Sequence, residues 1–169
     1  MAIRRESDRK ENRKKLKALN NSDYDRDLLI EMERELLHIE TNETVYIDVP
    51  FQIDYGTNIH FDGGFYANTD CLFLDTSDIS FGKGVKLGPR VQIYTVNHPV
   101  DPKDRREKGL AIASPVRIED NVWIGGGAII NPGVTIGANT VVGSGSVVTK
   151  SLPANVLAAG VPAKVIRKI

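Results

Sequence analysis

The sequence has few cysteines and histidines and no surplus of either charge, and each shortage narrows the class of protein. Its one cysteine, Cys71, excludes an internal disulfide framework. Its 22 basic residues are balanced by 22 acidic ones, so the net charge gives no reason to expect nucleic acid or an anionic membrane as a partner. Its three histidines are few for a metal centre built on imidazole, and we expect no bound metal.

Long apolar runs are also missing. No run approaches the roughly 18 residues of a transmembrane helix, and the opening MAIRRESDRK lacks the apolar core of a signal peptide. We therefore expect a soluble protein of the reducing cytoplasm, without a membrane partner.

An aliphatic residue recurs at every sixth position between residues 118 and 153. The regular positions are Ile118, Ile124, Ile130, Ile136, Val142 and Val148. A second series, four places later and mostly small or apolar, is Val122, Ala128, Val134, Thr140, Ser146 and Leu152. A period of six fits neither an α-helix nor an alternating strand, but it fits short strands joined by tight corners. The stretch therefore predicts a β-solenoid in which each coil buries the face of its neighbour.

A looser form of the same period precedes this stretch. The inward-facing positions that it predicts are Val49, Tyr55, Phe61, Ala67, Phe73, Phe81, Leu87 and Ile93, with a slip of two residues across 75–78. Cys71 falls on a companion position, so we expect a buried structural thiol. Fourteen repeats at three per triangular coil give between four and five coils. Because so short a solenoid has a large surface for its core, a flat-faced prism of this kind suits a closed trimer.

Other segments stand outside the repeats. Residues 1–20 carry eight basic against three acidic residues and predict a solvated, partly helical arm. Residues 26–39 have apolar residues at helical spacing, which predicts an amphipathic helix that packs on the solenoid or caps its open end. The predicted layout is an N-terminal basic arm and helix at 1–44, a β-helix domain at 45–153 with an extruded loop at 94–117, and a C-terminal tail at 154–169.

Four motifs add to the repeats: DYGTNIHFDGGFYANTDC at 54–71, TVNHPVDP at 95–102, NVWIGG at 121–126 and AAGVPAKVIRKI at 158–169. With the repeats, they make residues 45–169 resemble the galactoside/maltose O-acetyltransferases, which are hexapeptide-repeat enzymes that use acetyl-CoA. The resemblance implies an all-β core in the form of a left-handed parallel β-helix, and a homotrimer with active sites between adjacent subunits. It also implies direct transfer of an acetyl group from acetyl-CoA to a hydroxyl of a sugar or similar small acceptor, without an acyl-enzyme.

Acetyl transfer to a hydroxyl needs a base for the hydroxyl proton and a donor for the oxyanion that forms on the thioester carbon. An imidazole, with an ordinary pKa of about 6.5, suits the first task. The resemblance implies that His98 is this base and that Asn68 helps to stabilise the transition state. It places Tyr66, Asp75 and Asp54 against the acceptor. The residues alone leave Asn68 open as a corner asparagine and Asp75 as the cap of a turn.

The resemblance assigns the cofactor to the later coils. Gly126 and Ser144 match backbone contacts to the pantetheine arm. The positions that match contacts to the nucleotide end are Thr149, Lys150, Lys164 and Arg167. Lysine and arginine suit phosphate groups, with a solvated basic tail as the alternative for the last two. Trp123 either stacks near the cofactor or packs at a subunit contact.

The chain departs from the family pattern in two places. Residues 1–25 do not align with the longer acceptor-binding segment usual at the family's N-terminus, and Leu110 stands where the family loop usually has a glutamate. The identity of the acceptor is therefore open. Two other classes of function stay open as well: a non-catalytic binding solenoid, and a zinc enzyme in which His38, His60 and His98 would have to cluster.

Overall fold

Two helices precede the solenoid and pack on its first coil. The structure is a computed structural model that describes the backbone of residues 2–107, 109 and 111–169, and the side chains of these residues from Ser7 onward. Helix α1 is Ala2–Asn20 and helix α2 is Arg26–Leu36. Asp25 caps α2, because its side chain accepts a hydrogen bond from the N–H of Leu28.

Three short strands make each coil. The first coils contain β1 (Val45–Ile47), β2 (Gln52–Ile53), β3 (Ile59–Phe61), β4 (Phe65–Ala67), β5 (Leu72–Leu74), β6 (Ile79–Phe81), β7 (Val85–Leu87) and β8 (Gln92–Tyr94). An excursion follows, with β9 (Val96–Asn97), helix α3 (Pro102–Glu107) and β10 (Ile112–Ala113). The coils resume with β11 (Val116–Ile118), β12 (Trp123–Ile124), β13 (Ile129–Ile130), β14 (Thr135–Ile136), β15 (Val141–Val142), β16 (Val147–Val148), β17 (Val156–Gly160) and β18 (Ala163–Lys168).

The strands stack into three parallel sheets, which are the faces of a triangular prism. Face A holds β1, β4, β7, β12, β15 and β17, face B holds β2, β5, β8, β13 and β16, and face C holds β3, β6, β11 and β14. We call the turns from face A to face B corner AB, those from B to C corner BC, and those from C to A corner CA. The described part of the chain forms five coils and the first face of a sixth, more than the repeat count predicted. The reason is that β17, in the predicted tail, pairs in parallel with β15 and extends face A, and β18 folds back on it.

The core is a column of side chains that point inward from the three faces. All six regular positions of the later repeats are fully buried, as predicted: Ile118, Ile124, Ile130, Ile136, Val142 and Val148. The prediction for Val49 and Tyr55 is wrong, since both are half-buried turn residues. Ile47 and Ile53 occupy the inward positions instead. Corner BC contains two extra residues in the first coil, as it does in the second. Counting back from Phe61 in steps of six therefore gives Tyr55 and Val49 instead of the true inward residues.

The few polar groups in this core satisfy their hydrogen bonds locally. The hydroxyl of Thr140 donates to the carbonyl of Pro153 over 2.7 Å, and that of Ser146 donates to the carbonyl of Gly143 over 2.6 Å. Cys71 is buried as predicted, and burial raises the pKa of its thiol to about 11. A neutral, buried thiol of this kind packs as a small apolar side chain.

The excursion leaves the solenoid at corner BC of the third coil. Its strands β9 and β10 pair antiparallel, with Asn97 opposite Ile112, and α3 carries most of its charges. The predicted extruded loop is therefore an arm with its own secondary structure, and its bounds fall at 95–115 because Tyr94 and Val116 belong to faces B and C. Lys108 and Leu110, the latter at the position of the family glutamate, lie outside the described residues.

Helix α1 differs from the solvated arm expected from its charge. Leu16 and Leu19 are buried, and the amide of Asn20 both donates to the carbonyl and accepts from the N–H of Phe51, over 2.7 and 3.1 Å. The amide of Asn12 likewise donates to a carbonyl of the first coil. The helix thus covers the open end of the solenoid. None of the described helices combines the length and the apolar character needed to span a bilayer.

Candidate active site

Three side chains form one hydrogen-bonded chain at corner AB. The Nδ2 atom of Asn68 donates to the hydroxyl of Tyr66 over 3.2 Å, and that hydroxyl donates to Oδ2 of Asp48. The Oδ1 atom of Asn68 accepts from the N–H of Thr69 over 2.8 Å. The hydrogen bond to Asp48, followed by burial, raises the pKa of Tyr66 to about 12, so this phenol stays neutral. The structure thus joins two of the predicted site residues, Tyr66 and Asn68.

A cavity of about 610 Å³ opens on the outer side of face A beside this chain. Its walls include Arg26, Tyr46, Asp48, Tyr66 and Lys86. The rings of Tyr46 and Tyr66 stack with centroids 6.3 Å apart, and the Arg26 guanidinium lies 4.4 Å from the centroid of the Tyr46 ring. Flat aromatic surface with a few placed charges suits the binding of a small polar molecule.

His98 lies on the arm that leaves corner BC. It directly follows β9 and is exposed. The pairing of Asn97 with Ile112 anchors the backbone one residue before it. The imidazole is therefore exposed to solvent on a segment of backbone that strand pairing holds in place.

Asp54 lies at corner BC of the first coil, and its carboxylate is occupied by helix α1. Its Oδ1 atom accepts from Nε of Arg9 over 2.9 Å and from a guanidinium nitrogen of Arg13 over 3.1 Å. The side chain is only 9% exposed. The predicted acceptor contact therefore belongs to a cluster of three charges that the N-terminal helix completes.

Asp75 lies at corner BC of the second coil and is fully buried. Its Oδ1 atom accepts from the N–H groups of Asp54 and Tyr55, over 2.9 and 2.8 Å, and its Oδ2 atom from those of Gly56 and Asn58, over 2.8 and 3.3 Å. Burial raises the pKa of this carboxyl, and the four hydrogen bonds oppose that shift. These contacts are those of a turn cap, the alternative that the sequence left open for Asp75.

The residues expected to hold the cofactor spread over the later coils. At corner AB, the carbonyl of Gly126 accepts from the N–H of Gly145, the neighbour of the exposed Ser144, and Gly126 lines a cavity of about 480 Å³. Thr149 and Lys150 are exposed at corner BC of the fifth coil.

The two basic tail residues lie on the edge strand of face A. Lys164 and Arg167 are exposed on β18, opposite Ala159 and Leu157 of β17. Trp123 is 56% exposed on the outer side of the same face, in register with Lys86. All three side chains are therefore open to contact with another molecule.

Apart from Lys164 and Arg167 on β18, the predicted residues thus fall into two groups on opposite edges of face B. Those at corner AB are Asn68, Gly126 and Ser144, with Tyr66 bonded to the first. Those at corner BC are Asp54, Asp75, His98, Thr149 and Lys150. Within one chain, the strands of face B stand between the imidazole of His98 and the amide of Asn68.

Comparison with known proteins identifies the family. Residues 115–150 match the model described as bacterial transferase hexapeptide (six repeats). The chain is 46% identical over 143 residues to the galactoside O-acetyltransferase of Lactococcus lactis, across 82% of this chain and 69% of that protein. The chain belongs to the galactoside/maltose O-acetyltransferase family. A maltose O-acetyltransferase from Clostridium difficile 630 has the same fold, with a TM-score of 0.90 and 44% identity over 96% of this chain and 87% of that one.

Membership in this family confirms two predictions, the left-handed parallel β-helix and the acyltransferase class of enzyme. A hexapeptide-repeat acetyltransferase from Vibrio cholerae, solved as a complex with acetyl coenzyme A, has a TM-score of 0.90 and 34% identity over 96% of this chain and 87% of that one. For the zinc hypothesis, the described residues contain no group of three or more His, Cys, Asp or Glu placed to hold a metal ion.

Asp48 and Arg9 are among the residues of this O-acetyltransferase that contact predicted site residues but were not predicted from the sequence. Asp48 lies twenty residues before Asn68, one coil away at the same place in corner AB, and that period was a signal that could have found it. Arg9, which binds Asp54, had no such signal, because α1 is polar almost throughout and its register on the solenoid cannot be read from its sequence.

Proposed function

We propose that this member of the O-acetyltransferase family transfers the acetyl group of acetyl-CoA to a hydroxyl of a sugar or a related small acceptor. The observation that carries the proposal is the pair of groups on the two edges of face B: an anchored amide at corner AB and an exposed imidazole at corner BC. The acetyl-CoA complex of the Vibrio cholerae relative, and the galactoside and maltose in the names of the other two, support the same chemistry.

His98 is the general base in this mechanism. It takes the proton of the acceptor hydroxyl while the hydroxyl oxygen forms a bond to the acetyl carbonyl carbon. Asn68 donates an N–H to the oxyanion that develops on the former carbonyl oxygen. As the carbon–sulfur bond breaks, His98 returns the proton to the departing sulfur of CoA. The imidazole ends neutral, and the products are the acetyl ester of the acceptor and the free CoA thiol.

The position of these groups favours a site shared between two subunits of a homotrimer. In a closed ring of three triangular prisms, a corner of one chain faces a different corner of its neighbour. We infer that corner BC of one subunit, with His98, meets corner AB of the next, with Asn68. Equal mixing of His98→Ala and Asn68→Ala subunits should then restore about one quarter of the wild-type activity, because that share of random neighbours supplies both groups intact.

We infer that the cofactor and the acceptor bind at these corners and beside β18. The pantetheine arm binds in the cavity beside Gly126, next to the exposed Ser144. Thr149, Lys150, Lys164 and Arg167 supply hydroxyl and cationic groups for the nucleotide phosphates. On the acceptor side, Tyr66 lies in the wall of the larger cavity. Asp54, whose carboxylate already binds Arg9 and Arg13, holds helix α1 at this corner, and Asp75 fixes the backbone of Asp54.

The test is release of CoA thiol from acetyl-CoA in the presence of maltose, methyl galactoside, glucose or glucosamine. We expect at least one of these sugars to increase thiol release well above the rate without acceptor. If calorimetry detected no binding of acetyl-CoA by folded protein, the chain would be a binding solenoid and the proposal would be wrong. Sedimentation of the wild-type protein checks the trimer separately.

A further inference from the structure

Asp48 ends a hydrogen-bonded chain whose direction is set by the chemistry of its members. A carboxylate accepts hydrogen bonds and cannot donate them, so the hydroxyl of Tyr66 must donate its proton to Asp48. The phenol oxygen is then left as an acceptor, and the group that faces it must be the NH₂ of Asn68 rather than the carbonyl.

The other end of the chain agrees with this direction. The Oδ1 atom of Asn68 accepts from the N–H of Thr69, which again requires the amide oxygen on that side. Both ends of the Asn68 amide are thus tied, and one of its two N–H bonds remains. Among the described residues, no acceptor takes this second N–H.

The residues of this hydrogen-bonded chain are held by rigid parts of the solenoid. The N–H of Asp48 donates to the carbonyl of Ala67 over 2.8 Å, which continues the pairing of β1 with β4. The ring of Tyr66 is held against that of Tyr46, which in turn lies beneath the guanidinium of Arg26. Three of these side chains line the same cavity wall as Asp48. A chain built on strand ends and stacked rings keeps its geometry while substrates exchange.

We propose that Asp48 is a positioning residue for acetyl transfer: through the hydroxyl of Tyr66 it fixes the side-chain amide of Asn68, so that the remaining N–H of that amide is presented to the oxyanion. This inference rests on the proposed function, because it takes Asn68 as the oxyanion donor. In this role Asp48 acts through Tyr66 and not on a reacting atom. An oxyanion donor is effective only when it is already oriented, and Asp48 supplies that orientation.

A double-mutant cycle tests the inference in the full-length protein, with acetyl-CoA and the best sugar from the assay above. We expect Asp48→Ala and Tyr66→Phe each to lower kcat about 10- to 100-fold, with KM for acetyl-CoA changed less than about threefold. Together they should cost no more than either alone. In an Asn68→Ala background, Asp48→Ala should change kcat less than about twofold, because its target is gone.

A spectroscopic measurement does not depend on the acceptor. The side-chain NH₂ signals of Asn68, assigned by their loss in Asn68→Ala, should shift and exchange faster with water in Asp48→Ala. The pKa of Tyr66, followed with ring-labelled tyrosine, should fall from about 12 towards about 10 in the same variant. Tyr66→Phe removes a single oxygen and gives the amide measurement on a minimally changed fold.

The matched control is Asp62→Asn, at corner CA, where an exposed carboxylate lies 3.8 Å from Arg117. It should leave kcat and the Asn68 signals unchanged. If Asn68→Ala is inactive while Asp48→Ala keeps normal kcat and normal amide signals, the positioning role is wrong and the proposed function stands. If Asn68→Ala keeps normal kcat, the proposed oxyanion donor is itself wrong, and the role of Asp48 falls with it.

Discussion

Glu33 on helix α2 accepts a hydrogen bond from the backbone N–H of Ile47 on β1 over 3.0 Å. The side chain is fully buried, and its Oε1 atom has no hydrogen-bond partner. Burial raises the pKa of Glu33 to about 8, and the nearby Asp48 adds to the effect of burial. The bond ties helix α2 to the first strand of the solenoid at the cost of a buried acid.

The free energy of unfolding should depend on pH because Glu33 titrates at different pH values in the folded and the unfolded chain. Below pH 4.5 Glu33 is protonated in both the folded and the unfolded chain, and it carries no penalty. As the pH rises towards 8, the unfolded chain loses the proton while the folded chain keeps it, so the free energy of unfolding falls. Glu33→Gln, which does not titrate, should therefore be more stable than wild type by about 1–3 kcal/mol at pH 8.

Urea unfolding at pH 4.5 and at pH 8 measures this difference. The control is Glu31→Gln, an exposed position on the same helix, which should change stability equally at both pH values. If the stability of Glu33→Gln relative to wild type were the same at both pH values, the carboxyl would not be buried in its neutral form.

Ile130 tests the phase of the repeat. It is fully buried on the inner side of face B, whereas its neighbour Ile129 is half-buried on the outer side. Ile130→Ala should lower the free energy of unfolding by about 2–5 kcal/mol, and Ile129→Ala should cost less than about half as much. Denaturant unfolding of both variants gives the comparison. Equal costs would contradict the inward assignment of Ile130.

Asp75 should matter more for the turn than for the acceptor. Asp75→Ala removes the acceptor for four backbone N–H groups, so we expect a loss of about 2–5 kcal/mol of stability. Asp78→Asn, at an exposed carboxylate of the same corner, should cost less than about 1 kcal/mol. Thermal unfolding separates the two. An Asp75→Ala protein of normal stability but weak acceptor binding would reverse the assignment.

His98 should be needed for turnover and not for folding. His98→Ala should lower kcat about 10²- to 10⁴-fold, because general-base catalysis contributes on that scale, and should leave the melting temperature unchanged. His60→Ala is the control, since His60 is an exposed histidine paired with Asp78 on the outer side of face C. Thiol release by each variant decides the matter, and near-normal turnover without His98 would remove it from the mechanism.

The later coils could be predicted from the sequence because an aliphatic inward residue recurs there at every sixth position. The first coil could not, because two extra residues at corner BC place Ile53 and Phe61 eight residues apart. The residues two places after Ile47 and Ile53, which are Val49 and Tyr55, are also apolar or aromatic, so the sequence does not show which set points inward.

The site divides in the same way. Asn68, its partner Tyr66 and His98 stand in recognisable motifs. The contacts of Asp48 and Arg9 with site residues instead depend on how the coils stack and how α1 docks, which no pattern of neighbouring residues encodes.

The number of residues in a turn is the same at corner AB in every coil, but it varies from coil to coil at corner BC. Phe65 pairs with Val45 and Val85, each twenty residues away, whereas Ile124 pairs with Leu87, 37 residues before it, and with Val142, 18 residues after it. Yet the inward residues that flank corner AB are six apart in every coil, for example Ile47 and Ile53. Corner BC therefore accepts turns of different length, whereas the turn at corner AB has a fixed length. Evolution or design can graft new segments beside His98 without moving the wall that carries Asn68.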